Sequence, residues 1–281
     1  MIFTKLPPRT EHTGAMTAVI NAKCGDGGTT ISCNIASTLA AAVPTCLVDL
    51  DFGGGDVAGL LNINTRHSIN TIIDQLHDAD AHLIEDSMCV MPSGLRVLPQ
   101  PYDLSEVRTL TTPDTAALLN MLKPTADHLI IDADTTLQAP TLAALRLADV
   151  IMLVVTPNVL SIRDAVRKLE LFDSLEIPFQ RVHVVVNRTS PRAAVPPEDI
   201  PALLKVEPFA YLDQDPASAQ LADERGQTIC EVAPRSKLCG QLQALALKLD
   251  RTMHPHRDQA PRGTVLSEGP PPILPDREVR R

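Results

Sequence analysis

Short, almost unbroken apolar runs recur along the chain, and most are followed by a stretch with helical periodicity. The runs are Met16–Asn21, Thr45–Leu50, Leu95–Leu98, His128–Asp132, Val150–Thr156 and Arg181–Asn187, with another at Pro208–Tyr211. The helical stretches are Thr30–Ala42, Asp114–Leu122, Pro140–Leu147, Val159–Ser174, Pro216–Arg225 and Ser236–Arg251. A strand that is apolar on both sides must be covered on both sides, which is the condition of a parallel sheet between two helical layers. Right-handed crossovers then predict a doubly wound, mainly parallel α/β sheet with helices on both faces. In such sheets ligands settle beyond the carboxyl ends of the strands, so chemistry is expected in the residues just after each strand.

Composition narrows the function classes. Of 281 residues 44% are apolar, but only 2% are aromatic and none is Trp. The core must therefore be Leu, Ile, Val and Ala, and the aromatic faces on which single-stranded nucleic acid stacks are lacking. A net charge of −9 opposes the basic surface that displaces counterions from DNA, so no specific nucleic-acid partner is expected. The longest apolar stretch, Val150–Val155, is far short of the roughly 18 residues needed to span a bilayer, which leaves peripheral membrane contact at most. Met1–Thr13 lacks the apolar segment of a secretory leader. Cys24, Cys33, Cys46, Cys89, Cys230 and Cys239 form no C-x-x-C pair and read as reduced thiols of a cytoplasmic protein. The histidines fall at no metal-ligand spacing, and no G-x-S-x-G elbow occurs. Three zones are expected: a flexible lead-in at 1–14, a nucleotide-binding domain at 15–251, and a disordered Pro-rich tail at 252–281. Arg163, Arg167 and Lys168 read as the solvated face of one helix. The final helix, with Leu238, Leu242, Leu245 and Leu249, reads as packed on the core.

The densest signal follows the first strand: Asn21-Ala22-Lys23-Cys24-Gly25-Asp26-Gly27-Gly28-Thr29-Thr30, then an Ala-containing helix. A glycine-rich turn between strand and helix lets backbone N–H groups converge on a phosphate, and the helix N-terminus adds partial positive charge. A threonine at the helix start offers a hydroxyl to Mg²⁺. The alternative is a tight turn with no ligand. Carboxylates end two other strands, Asp49 and Asp51 in Asp49-Leu50-Asp51-Phe52-Gly53-Gly54-Gly55, and Asp132 in His128-Leu129-Ile130-Ile131-Asp132. Each is either a metal and switch element or an ordinary acidic strand end.

Together these residues resemble the deviant P-loop of the ParA/MinD ATPases, K-G-G-x-G-K-[ST]-T. Lys23 matches the family's leading lysine, which reaches across a nucleotide-sandwich dimer, and Thr29 matches the Mg²⁺ threonine. Gly28 replaces the phosphate-binding lysine, Cys24 takes a glycine position, and Asp26 puts a negative charge at the variable one. The resemblance implies ATP or ADP with Mg²⁺, and a homodimer formed around the nucleotide. It implies phosphate contacts from Gly25, Asp26, Gly27, Gly28, Thr29 and Thr30, metal contacts from Thr29, Asp49 and Asp132, and a base contact from Asn187. It gives catalytic roles to Lys23 and to Asp51, which orients the attacking water. A charge-assisted hydrogen bond to phosphate is worth roughly 1.5–3 kcal/mol. Its loss at Gly28 implies about 10- to 150-fold weaker binding, and hydrolysis suffers more because the transition state needs cationic stabilisation. Within the superfamily the layout is most similar to the CpaE/TadZ branch, localisation factors of Flp/Tad pilus assembly. The features are Gly55-Asp56-Val57-Ala58, Leu110-Thr111-Thr112-Pro113, Thr156-Pro157, Asp215-Pro216 and Ala233-Pro234-Arg235-Ser236. That branch implies a spatial regulator or scaffold with weak or absent hydrolysis, partnered by pilus or secretion proteins, polar or associated with an inner-membrane complex. The alternative is an active slow ATPase of partition or septum-placement type.

Overall fold

In the computed structural model the described residues are 14–64, 67–76, 81–108 and 110–256. Eight strands form one sheet: β1 (Ala15–Asn21), β2 (Thr45–Leu50), β3 (Cys89–Val90), β4 (Arg96–Leu98), β5 (His128–Ala133), β6 (Val150–Val155), β7 (Val182–Thr189) and β8 (Ala210–Asp213). Their spatial order is β3-β4-β2-β5-β1-β6-β7-β8. All pairings are parallel except that of β3 with β4. Helices α1 (Gly28–Ala40), α2 (Asp56–Leu60), α3 (Ile69–Ile73), α4 (Ala81–Asp86), α5 (Thr112–Leu122), α6 (Ala139–Leu147), α7 (Val159–Ser174), α8 (Ile200–Leu204), α9 (Pro216–Arg225), α10 (Ile229–Val232) and α11 (Lys237–Met253) connect and cover the strands. The expected doubly wound α/β architecture is the one found.

Alternate residues of each strand feed separate cores on the two faces of the sheet. Ile151, Leu153 and Val155 of β6 join Leu118 and Leu122 of α5 and Phe172 of α7. Val150, Met152 and Val154 join Ile31 and Ile35 of α1 and Leu238, Leu242, Leu245 and Leu249 of α11. This double burial is why the strands read as continuous apolar runs. Helix starts carry local caps: Asn158 Oδ1 accepts from Ser161 N–H and Ser236 Oγ from Cys239 N–H. Such caps satisfy amides that have no partner within the helix.

Three details depart from the sequence reading. The edge strand β3 and the short helices α2, α3, α4, α8 and α10 are additional. Helix α11 runs to Met253, past the expected domain end. Lys168 does not share the solvated face of Arg163 and Arg167. Those two arginines pair with Asp164, whereas the Lys168 ammonium turns inward and donates to the Thr135 carbonyl (2.6 Å). Apart from Gly14 and residues 252–256, the expected lead-in and tail lie outside the described residues. Among the described residues no helix is long and apolar enough to cross a membrane.

Candidate functional site

The segment Ala22–Gly27 leaves the carboxyl end of β1 at the middle of the sheet and turns into α1. Gly25 (φ 88°) and Gly27 (φ 99°) adopt left-handed backbone. At Gly27 a Cβ would also lie 2.4 Å from Asn187 Nδ2, so only glycine fits. Lys23 and Cys24 are exposed, and Thr29 and Thr30 are half-exposed at the start of the helix.

Asp26 does not face outward toward a phosphate, as its place in the loop suggested. It is 3% exposed, and its carboxylate accepts from Lys23 N–H (2.8 Å), Thr156 Oγ1 (2.7 Å) and Ser161 Oγ (2.7 Å). Its carbonyl accepts from Asn187 Nδ2 (2.8 Å), and its own N–H donates to the Lys23 carbonyl (3.1 Å). Neither its side chain nor its amide is disposed toward a phosphate; the residue fastens the loop to the ends of β6 and β7 and to α7. Gly28 N–H is likewise taken up, donating to Asn21 Oδ1 (2.6 Å).

Beside the loop, Asp49 and Asp132 sit at matched register on the adjacent strands β2 and β5. Both are buried, and each has one carboxylate oxygen, Oδ2, with no hydrogen-bond partner among the described residues. Asp132 Oδ1 accepts from Ser32 Oγ (2.8 Å), and the Thr29 side chain also bonds to this carboxylate. Asp49 Oδ1 accepts from Asp51 N–H (3.0 Å). Burial, then the facing Asp132 charge, pushes the Asp49 carboxyl well above its usual range. Burial pushes Asp132 up to about 7, although the bonds from Ser32 and Thr29 act in the other direction. Two buried carboxylates side by side, each with an orphaned oxygen, form a hard-oxygen donor set suited to a divalent cation. Asp51 is half-buried, its Oδ1 accepting from the amides of Gly53 and Gly54 (both 2.9 Å). Burial raises its pKa, and nearby Asp134 and Asp56 add to the rise.

On the other side of the loop a cavity of about 480 Å³ is lined by Gly27, Thr30, Asn187, Arg188, Asp215 and Pro216 among others. Its volume is in the range of small-molecule pockets. Asn187 borders it with the amide already engaged, Nδ2 to Asp26 and Oδ1 accepting from Arg188 N–H (2.9 Å). Arg188 stands in left-handed backbone (φ 57°) where the β7–β8 register shifts.

The fold thus gathers Lys23, Gly25, Gly27, Gly28, Thr29, Thr30, Asp49, Asp51, Asp132 and Asn187 at one end of the sheet. Sequence reasoning missed Asn21 and Arg188, and it did not foresee that the Asp26 carboxylate turns inward to Thr156 and Ser161. It also missed a group at the opposite end: His128, Asp250 and His254 offer ligand atoms within 4.8 Å of one another. His128 Nε2 lies 2.8 Å from Asp250 Oδ1, joining β5 to α11 across 122 residues of sequence that no spacing rule could bridge.

A family profile, AAA_31 (AAA domain), matches residues 14–176. The chain is 30% identical over 206 residues to the septum site-determining protein MinD of Synechocystis sp., covering 70% of this chain and 75% of that protein. It is 24% identical over 253 residues to the antiactivator FleN of Pseudomonas aeruginosa, covering 85% and 87% respectively. Among solved structures, the ParA family ATPase from Chlorobium tepidum TLS superposes with a TM-score of 0.78 at 23% identity, over 83% of this chain and 98% of that one. The MinD of Pyrococcus horikoshii OT3, solved with Mg-ADP, gives 0.73 at 19% identity, over 85% and 97%. These two likenesses establish the shared fold.

Proposed function

The chain belongs to the ParA/MinD-type P-loop ATPases, and we propose that it works as an ATP-binding positional scaffold with little turnover. The reading is CpaE/TadZ-like: a cytoplasmic homodimer, closed around nucleotide, that places a Flp/Tad pilus or secretion apparatus at an inner-membrane complex. One observation carries it. A glycine stands where the family has its phosphate lysine, beside a buried carboxylate pair with two unpartnered oxygens.

In this reading Thr29, Asp49 and Asp132 hold Mg²⁺, which supplies charge neutralisation at the phosphates. The amides of Gly25, Gly27, Thr29 and Thr30 cradle the phosphates. Asn187 and Arg188 border the base side of the cavity. Lys23, exposed at the loop, is a cation available to the reacting phosphate, and Asp51 is the group placed to orient water. With no lysine at position 28, the site lacks one part that fast hydrolysis requires.

Calorimetry with Mg-ATP, light scattering and a phosphate-release assay test the proposal. We expect Mg-dependent binding, a nucleotide-dependent dimer, and phosphate release at background in both the wild type and Asp51→Ala. Release that is measurable in the wild type and vanishes in Asp51→Ala would instead favour an active slow ATPase of septum or partition type. Retention of Lys23, Asp51 and Asp132, and the similarity to MinD, speak for that second reading. No heat at millimolar nucleotide with Mg²⁺ would refute both.

A further inference from the structure

We infer that Asn21 is a built-in plug of the phosphate loop, and that it and Gly28 form a matched pair. The inference rests on the nucleotide reading above and concerns how the same site is regulated. Helix α1 begins after Gly27, which has no side chain to cap it. The cap comes from seven residues upstream: the Asn21 carboxamide, at the end of β1, accepts the Gly28 N–H at 2.6 Å. That amide is the first of the helix, one of those that otherwise point at an anion.

The space matters as much as the bond. A Cβ on Gly28 would lie 2.7 Å from Asn21 Oδ1 and 3.0 Å from both Cγ and Nδ2. The carboxamide therefore fills the volume where any side chain at position 28 would begin. Glycine at 28 is what allows Asn21 to sit there, and Asn21 at rest is incompatible with a lysine at 28. A triphosphate entering the loop meets an amide that is already satisfied and must displace the carboxamide to use it. The side chain at position 21 thus sets nucleotide affinity from the closed side, independently of the missing cation.

Binding of Mg-ATP to four variants tests this: Asn21→Ala, Asn21→Ser, Gly28→Lys and the double Asn21→Ala/Gly28→Lys. Losing one competing hydrogen bond predicts about 3- to 10-fold tighter binding for Asn21→Ala. The same change lowers the melting temperature of the nucleotide-free protein, because the α1 amide loses its cap. Gly28→Lys alone gains less than about 3-fold, whereas combined with Asn21→Ala the lysine adds about 10-fold or more, a coupling expected of groups that share space. Asn21→Ser replaces the carboxamide by a shorter side chain with a hydroxyl, and it decides the matter if Asn21→Ala folds poorly. Unchanged or weaker binding in both position-21 variants, or equal gains from lysine with and without Asn21→Ala, overturns the plug. If the wild type binds Mg-ATP and these results fail, the nucleotide reading stands alone. If no variant and no wild type binds, both fall.

Discussion

Asp26→Ala lowers the melting temperature by roughly 6–12 °C and weakens any ligand of the loop in parallel. Three donors lose their acceptor at once: Lys23 N–H, Thr156 Oγ1 and Ser161 Oγ. Hydrogen bonds to a charged acceptor contribute about 1.5–3 kcal/mol each, and two of the donors left behind, on Thr156 and Ser161, are buried, so a net loss of about 3 kcal/mol is expected. For a domain of this size about 2–4 °C of Tm accompanies each kcal/mol. The damage also spreads, because Thr156 Oγ1 accepts from Asn158 Nδ2 and Ser161 Oγ accepts from Thr156 N–H. That network holds the start of α7. Asp26→Asn keeps the shape and one acceptor, and falls between wild type and alanine. Thermal unfolding followed by circular dichroism measures all three; a change under about 1 °C in Asp26→Ala, well below the shift expected per kcal/mol, would remove the anchoring role.

Asp132→Asn acts in the opposite direction on the two properties of the site. Above the pH of about 7 at which Asp132 ionises, and without divalent cation, the variant is more stable than the wild type, since a buried, repelling carboxylate has been replaced by an amide that can still accept from Ser32. Relief of that charge raises the Tm, with about 2–4 °C accompanying each kcal/mol. With Mg-ATP the order reverses, because the wild type gains the linkage stabilisation of a bound ligand and the variant does not. The pH dependence follows from the sign of the shift. A carboxyl whose pKa is raised by folding contributes stability below its unfolded value, and that contribution is lost as pH rises through the folded one. Asp132 is pushed up to about 7 and Asp49 is raised as well. The cation-free wild type therefore loses Tm between about pH 4 and pH 7, while Asp132→Asn shows a shallower slope. Identical pH profiles for the two proteins, or a cation-free Asp132→Asn that melts below the wild type, would contradict the paired-carboxylate account.

Much of the fold was legible because burial on both faces leaves a plain mark on sequence. Strand β2 and helices α7 and α9 have the residue limits expected for them, since Asn158 and the Asp215-Pro216 pair are local start signals and Gly226 is a stop. The two-residue β3 has no periodicity to read, and helix α2 hides behind the glycines that precede it. The site divides in the same way. Its glycines and strand-end carboxylates are local patterns. Asp26 was misread because its partners lie 130 and 135 residues away, and an acidic residue in a glycine loop gives no sign of which way it turns. Lys168 was misread for the same reason, its acceptor Thr135 lying 33 residues upstream. The Asn21–Gly28 pairing spans only seven residues, yet it depends on a carboxamide rotamer that spacing does not encode.

The anchoring of the loop at Asp26 has a kinetic consequence. Freezing one residue's backbone costs about 1–2 kcal/mol, and here that loss is incurred during folding rather than at the encounter with a ligand. A pre-shaped cradle has little disorder left to surrender, so a weakened grip shows itself as a short residence time instead of a slow arrival.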